Sequence, residues 1–363
     1  GIYTYGFEVP SPIQEIAINP MKDGRDLIAQ SQSGTGKTAT FVIGSIERVD
    51  LELKETQIII VSPTRELAIQ TGEVFNKLTK FITNINFSMC IGGSKKNKFM
   101  HAGDNNHVII GTPGRISDLL NKKLILSNNI KMIIIDEADE VLSYSFKDQL
   151  GKIFDVIPKD AQVCLFSATM PHEIFQITDK IMNNPVKILV RDEELTLDGI
   201  SQYYVNVNDD RWKYETLCEI YSNMSIGQAI IYCNRKNLAE ELANQLVSND
   251  YTATTIHGNM LQQDRQNVMS EFRTGKIRML IATDIIARGI DVQQVSLVIN
   301  YEMPREYETY IHRIGRSGRF GRKGLAINFV SKKDKYHINS LESFYNTTIN
   351  ELPSDLEKVV NNN

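Results

Sequence analysis

DLIAQSQSGTGKT, residues 26 to 38, decides the fold. Its first part, DLIA, is a short apolar run of the kind that forms a buried parallel strand, and the rest is a small-residue turn ending in Lys37 and Thr38. A helix opening near Lys37 completes a strand-turn-helix unit in which backbone N–H groups cradle nucleotide phosphates. In such a unit the lysine reaches the terminal phosphates and the hydroxyl holds magnesium. Ser33, Gly34, Thr35, Gly36, Lys37 and Thr38 are therefore candidates for phosphate binding, with Thr38 as a Mg2+ ligand. The strict pattern starts on a glycine where this chain has Ser31.

Outward from that unit, short β-branched runs alternate with longer helical patterns. QIIIVS (57 to 62), NFSMCIG (86 to 92), HVIIG (107 to 111), KMIIID (131 to 136) and QVCLFS (162 to 167) read as further buried strands. Between two of them, Leu67, Val74, Leu78 and Phe81 recur near a 3.6-residue period, predicting a helix over 64 to 82. The scheme repeats from QAIIYC (228 to 233) through TATTIH, RMLIAT, VSLVINY and GLAINFV (324 to 330). This alternation predicts an α/β protein with two tandem doubly wound parallel-sheet domains, residues 1–190 and 201–363. RDEELTLDGIS, polar and acidic, supplies a flexible joint over 191–200.

Composition sets bounds on function. The 363 residues are 42% hydrophobic, enough for two buried cores. No apolar run approaches the ~20 residues needed to cross a bilayer, so no membrane span is expected. The start, Gly1-Ile-Tyr-Thr-Tyr, lacks the charged and apolar regions of a secretory signal and suggests trimming. Cys90, Cys164, Cys218 and Cys233 are far apart and carry no metal-type spacing, which reads as reduced core cysteines in a cytosolic or nuclear protein. Lys plus Arg against Asp plus Glu stands at 20 to 21 in residues 1–190 and 20 to 23 in the remainder, so phosphate contacts must be local.

Two local features answer that requirement. KMIIIDEAD runs four apolar residues into Asp136, then Glu137, an arrangement that sets a metal carboxylate at a strand tip beside a group able to orient or deprotonate water. An acidic helix start is the alternative use of the same residues. HRIGRSGRFGR (312 to 322) sets Arg313, Arg316, Arg319 and Arg322 at every third position in an otherwise acidic chain.

With SQSGTGKT and DEAD together, the sequence resembles the DEAD-box RNA helicases, and their motif series continues in order: GFEVPSPIQ, PTRELA, GG, TPGR, SAT, IIYCNRK, QxxR, ATDIIARGID and HRIGRSGR. The resemblance spans nearly the whole chain. It implies two RecA-like domains, ATP and Mg2+ as cofactors, and RNA-stimulated ATP hydrolysis. It further implies that Arg316 and Arg319 meet the β- and γ-phosphates, that Asp291 contacts ribose, that Gln14 reads adenine and that Ser167 and Thr169 couple hydrolysis to strand separation. Ser and Thr also suit a helix cap there. The family's upstream aromatic that stacks on the base is not in this sequence, which implies trimming or weakened nucleotide affinity; Phe320 is a possible substitute.

For single-stranded RNA or a duplex, held by its sugar-phosphate backbone, the matching positions are Pro63, Thr64, Arg65, Gly92, Gly93, Thr112 and Arg115 in the first half. Asn234, Arg235, Thr283 and Arg288 match in the second. Hydroxyls, arginine forks and glycine-opened loop N–H groups all suit backbone contacts rather than base edges. Within the family the chain looks closest to the translation initiation factor 4A subfamily and its exon-junction paralogue. The first implies 5′-leader unwinding as a monomer in the cytoplasm with a helical-repeat scaffold partner; the second implies an ATP-gated RNA clamp in the nucleus.

Overall fold

A computed structural model describes residues 1–32, 34–92, 105–142, 146–189, 200–224, 226–284, 295–317, 324–332, 334–353 and 356. The chain forms two compact units, Gly1–Val190 and Arg191–Asn363. Each contains a seven-stranded sheet whose strand pairs all run parallel.

In the first unit the strands are β1 (Leu27–Gln30), β2 (Ile58–Val61), β3 (Phe87–Cys90), β4 (Val108–Gly111), β5 (Met132–Asp136), β6 (Gln162–Ser167) and β7 (Val186–Ile188). Their order is β3-β4-β2-β5-β6-β1-β7. In the second unit they are β8 (Ile200–Asn208), β9 (Ala229–Tyr232), β10 (Ala253–Ile256), β11 (Met279–Ala282), β12 (Leu297–Asn300), β13 (Gly324–Ser331) and β14 (Asn350–Glu351), in the order β10-β11-β9-β12-β13-β8-β14.

The apolar runs form strands because helices cover both faces, leaving no polar side for alternation to serve. Ile58, Ile60, Met132, Ile134 and Cys164 pack into one core cluster of the first unit, while Ile59, Val61, Ile133, Ile135 and Leu165 pack into the other. The second unit divides its strands in the same way: Ile230, Leu280 and Val298 face one cluster, and Ala229, Ile231, Met279 and Ile281 the other. All four cysteines are free thiols, three of them buried.

Three departures from the sequence reading have local causes. The helix expected over 64 to 82 ends at Leu78, where the Thr79 hydroxyl turns back to the Phe75 carbonyl at 2.8 Å. Phe81 thus falls outside the apolar face, 63% exposed beneath the Lys80 ammonium. The joint expected over 191–200 gives up its last residue, because β8 begins at Ile200. Its residues alternate between half-buried, buried and exposed positions, a mixed pattern that hides a strand lying near the sheet margin. The short strands β7 and β14 sit at sheet edges and carry too little burial to read as apolar runs.

Candidate active site

Among the described residues, the candidate nucleotide groups of the first unit lie at or just beyond the carboxyl end of β1, β5 or β6, or on the helix Pro12–Lys22. Gly34 and Gly36 have φ of 86° and 99°, a left-handed backbone that glycine adopts without a Cβ penalty. Gly36 caps the helix Lys37–Ile46. A Cβ there would lie 2.8 Å from the Gln14 Nε2, so this glycine also makes room for the buried amide of Gln14. Gln14 is fixed in turn by accepting the Ser11 N–H at 2.9 Å. Ser31, where the strict motif has glycine, is not among the positive-φ residues. Its hydroxyl pairs with that of Thr35 and its carbonyl accepts the Lys37 ammonium at 2.6 Å. The Ser31 N–H donates to the Ser167 carbonyl at 3.0 Å, joining the loop to β6.

β5 delivers two carboxylates beside that lysine. Asp136, Glu137 and Lys37 are all buried. Burial, and then the charge of Glu137, push the Asp136 carboxyl above its ordinary range, while Lys37 opposes the shift. Asp136 accepts the Glu137 N–H at 3.0 Å, and Glu137 Oε2 is buried with no hydrogen-bond partner. An oxygen-only donor set carrying more negative charge than one lysine balances fits a hard divalent cation such as Mg2+, with Thr38 and Asp136 as the residues to hold it. Glu137 itself sits at φ 49°, ψ 58°, a conformation rare for a residue with a side chain and concentrated at functional sites. Next to it, the Thr169 hydroxyl donates to Asp139 at 2.6 Å, and the Thr169 N–H reaches the Ser167 hydroxyl at 3.4 Å. Residues 136–139 and 167–169 are thereby one hydrogen-bonded assembly.

The described candidate RNA groups follow β2, β3 and β4, neighbouring strands along the same carboxyl edge of the sheet. Pro63 is buried, and Thr64 caps the helix Arg65–Leu78 by accepting the Leu67 N–H at 3.3 Å. A Cβ on Gly92 would lie 3.0 Å from Arg65 Nη2, so the glycine lets that guanidinium lie across the backbone. Thr112 precedes the helix Pro113–Asn121 and donates its N–H to the Cys90 carbonyl at 3.1 Å. Arg115 pairs with Asp118 at 2.9 Å.

In the second unit, Thr283 directly follows β11 in a buried position, and Arg235 is exposed beside Glu302 at 3.5 Å. Both ends of the Asn234 amide are engaged: Nδ2 donates to the Met303 carbonyl at 2.9 Å and Oδ1 accepts from Arg313 at 2.6 Å. Arg316, just past the helix Tyr307–Ile314, is buried and donates from Nε to the His312 carbonyl at 3.2 Å. Ser33, Gly93, Arg288, Asp291, Arg319 and Phe320 lie outside the described residues.

The model of the DEAD/DEAH box helicase family matches residues 11–177, and that of the helicase conserved C-terminal domain matches 212–321. The eukaryotic initiation factor 4A of Caenorhabditis elegans is 48% identical over 363 residues, covering 99% of this chain and 90% of its own length. The chain belongs to the DEAD-box helicases. The initiation factor 4A-III homolog A of rice matches this helicase at the same 48%, over 99% of the chain and 89% of the relative. Among solved structures, Saccharomyces cerevisiae Dbp5 bound to RNA and ADP BeF3 superposes with a TM-score of 0.93 at 38% identity, covering 99% of the helicase and 95% of Dbp5. Among the described residues no helix is long and apolar enough to cross a membrane.

Sequence reasoning passed over two features of the helicase. The spacing of Arg313 assigns it no role, yet its guanidinium donates to four acceptors, Asp284, Asn234, Asn300 and the Glu302 carbonyl. Asn300 and Asn328 were submerged in the apolar runs VSLVINY and GLAINFV; a polar residue inside such a run is the signal that could have found them.

Proposed function

We propose that the helicase couples ATP hydrolysis to the local opening of short RNA duplexes, in the cytoplasm, during translation initiation. The observation that supports it best is the buried Asp136–Glu137 carboxylate pair at the tip of β5, held beside Lys37 and hydrogen-bonded through Asp139 to Thr169.

Residues 1–190 bind the nucleotide in this reading. The N–H groups of Ser33 to Gly36 cradle the phosphates and Lys37 moves from the Ser31 carbonyl to the terminal ones. Gln14 offers a donor and an acceptor together, matching the N6 and N7 edge of adenine. Thr38 and Asp136 hold Mg2+, which when bound neutralises charge on the phosphate oxygens. Glu137 orients the attacking water and accepts its proton. Residues 201–363, joined through 191–200, bring Arg316 and Arg319 to the transferring phosphoryl and Asp291 to the ribose.

Pro63, Thr64, Arg65, Gly92, Gly93, Thr112 and Arg115 hold one RNA strand by its backbone, and Asn234, Arg235, Thr283 and Arg288 hold the same strand from the second unit. Ser167 and Thr169 relay the state of the nucleotide to that grip. Dbp5, solved with RNA and ADP BeF3, supports this pairing of ligands.

Steady-state phosphate release with and without single-stranded RNA tests the reading: stimulation by RNA and loss of turnover on chelating Mg2+ are expected, and turnover indifferent to RNA would overturn it. The rice relative at equal identity favours a second reading, an ATP-gated clamp of exon-junction type in the nucleus. Strand displacement separates the two, since a clamp holds RNA without displacing the complementary strand. As an initiation factor the protein works as a monomer with a helical-repeat scaffold, and co-purification of that scaffold is the corresponding check.

A further inference from the structure

Arg313 is fully buried in the second unit, where an unpaired charge would be prohibitively costly. Its guanidinium donates to Asp284 at 2.6 Å, to Asn234 at 2.6 Å, to the Glu302 carbonyl at 2.7 Å and to Asn300 Oδ1 at 3.1 Å. It therefore ties together the carboxyl ends of β9, β11 and β12.

Behind it a polar chain runs through the apolar core. Asn300 and Asn328 stand side by side in register on β12 and β13, and Asn300 Nδ2 donates to Asn328 Oδ1 at 2.8 Å. Asn328 Nδ2 donates to the Tyr203 carbonyl at 3.0 Å and to the Tyr310 hydroxyl at 3.2 Å. The Tyr310 hydroxyl donates to Gln202 Oε1 at 2.7 Å, and Gln202 Nε2 to Thr347 at 3.1 Å.

This chain has only one consistent direction. The Tyr203 carbonyl can only accept, so Asn328 must present its NH2 there and its oxygen to Asn300. Asn300 must then present its own oxygen to Arg313, which can only donate. Stability is a poor reason for such an arrangement, because an apolar core at these positions needs no polar chain and a buried hydrogen bond adds only a small net free energy over its solvated alternative. Orientation is the better reason: the two amides fix where the guanidinium sits.

We propose that Asn300 and Asn328 are positioning residues for the RNA-facing edge of the second unit. They orient Arg313, and Arg313 holds Asn234 and Asp284 in place beside the candidate RNA groups Arg235 and Thr283. The inference rests on the reading of this edge as an RNA grip.

The test is RNA-stimulated ATP hydrolysis by the full chain carrying Asn300→Leu and Asn328→Leu together. The RNA concentration for half-maximal stimulation should rise about tenfold, the loss expected for one buried hydrogen bond to a charged group. The melting temperature should fall, because Arg313, the Tyr203 carbonyl and the Tyr310 hydroxyl each lose a partner, yet the KM for ATP should stay within about twofold, since the nucleotide residues of the first unit are untouched. Asn300→Asp, which keeps an acceptor towards Arg313, should bind RNA more like wild type while melting lower.

A leucine pair that responds to RNA as wild type does would overturn the proposal, as would RNA and ATP constants that worsen together in step with melting temperature. Should the leucine pair not fold, Asn300→Ala decides: weakened RNA activation upholds the proposal and wild-type activation rejects it. A wild-type chain without RNA stimulation would instead reject the functional reading itself.

Discussion

Glu137 holds a left-handed backbone that costs a residue with a side chain of order 1 kcal/mol or more, and it also keeps a buried carboxylate oxygen without a hydrogen bond. A conservative substitution leaves the backbone cost in place and removes only the buried carboxylate, which makes it informative. Glu137→Gln preserves shape and backbone but cannot accept a proton from water, so RNA-stimulated turnover should fall at least about 100-fold. ATP binding should persist, because the amide no longer repels Asp136 and the phosphates. Phosphate release and nucleotide titration measure the two halves of this expectation. Thr169→Val tests the neighbouring bond. It removes the donor to Asp139 without changing volume much, and strand displacement per ATP hydrolysed should drop several-fold while the KM for ATP stays put. The placement of Lys37, Asp136 and Glu137 at one end of the sheet was legible because spacing along one strand or loop dictates it. Ser31 was readable only as a departure, since its compatibility depends on a φ and a hydroxyl partner that the sequence does not state.

At the scale of strands and helices, the sheet order keeps the candidate nucleotide groups and the candidate RNA groups on different strands. Candidate phosphate groups gather at β5, β6 and β1, candidate RNA groups at β3, β4 and β2, so one sheet edge carries both sites side by side. Gly111, the last residue of β4, is the tightest point of the RNA half: a Cβ there would come within 2.1 Å of the Cys90 carbonyl oxygen, which is backbone and cannot step aside. That same carbonyl accepts the Thr112 N–H. Gly111→Ala should force β3 from β4, costing about 1–3 kcal/mol in denaturant unfolding. RNA activation should suffer more than ATP binding, because β1, β5 and β6 lie elsewhere in the sheet. Most central strands were legible from apolar runs because burial on both faces leaves that mark. The edge strands β7 and β14, and β8 next to the edge, were not, since half-exposed strands mix polar and apolar residues and RDEELTLDGIS runs its polar character straight into β8.

For the whole molecule the division of labour between the two units is the claim with most at stake. Each has its own sheet and a core on both faces of it, with the size of an independent domain, so residues 1–190 and 200–363 should each unfold cooperatively when made separately. Gln14, Lys37, Thr38, Asp136 and Glu137 all belong to the first, so that piece alone should retain ATP binding within about tenfold of the full chain. Arg316 and Arg319 belong to the second, and guanidinium groups supplied to a transferring phosphoryl account for about 10³ or more in rate. The isolated first piece should therefore bind ATP yet lose RNA-stimulated hydrolysis by about that factor, with partial return when the second piece is added in excess. In the intact chain, the factor by which RNA tightens ATP must equal the factor by which ATP tightens RNA, because both report one coupling free energy. An isolated first piece that hydrolyses ATP with RNA as fast as the intact chain would leave the second unit's arginines without a catalytic task, whatever the binding factors turned out to be.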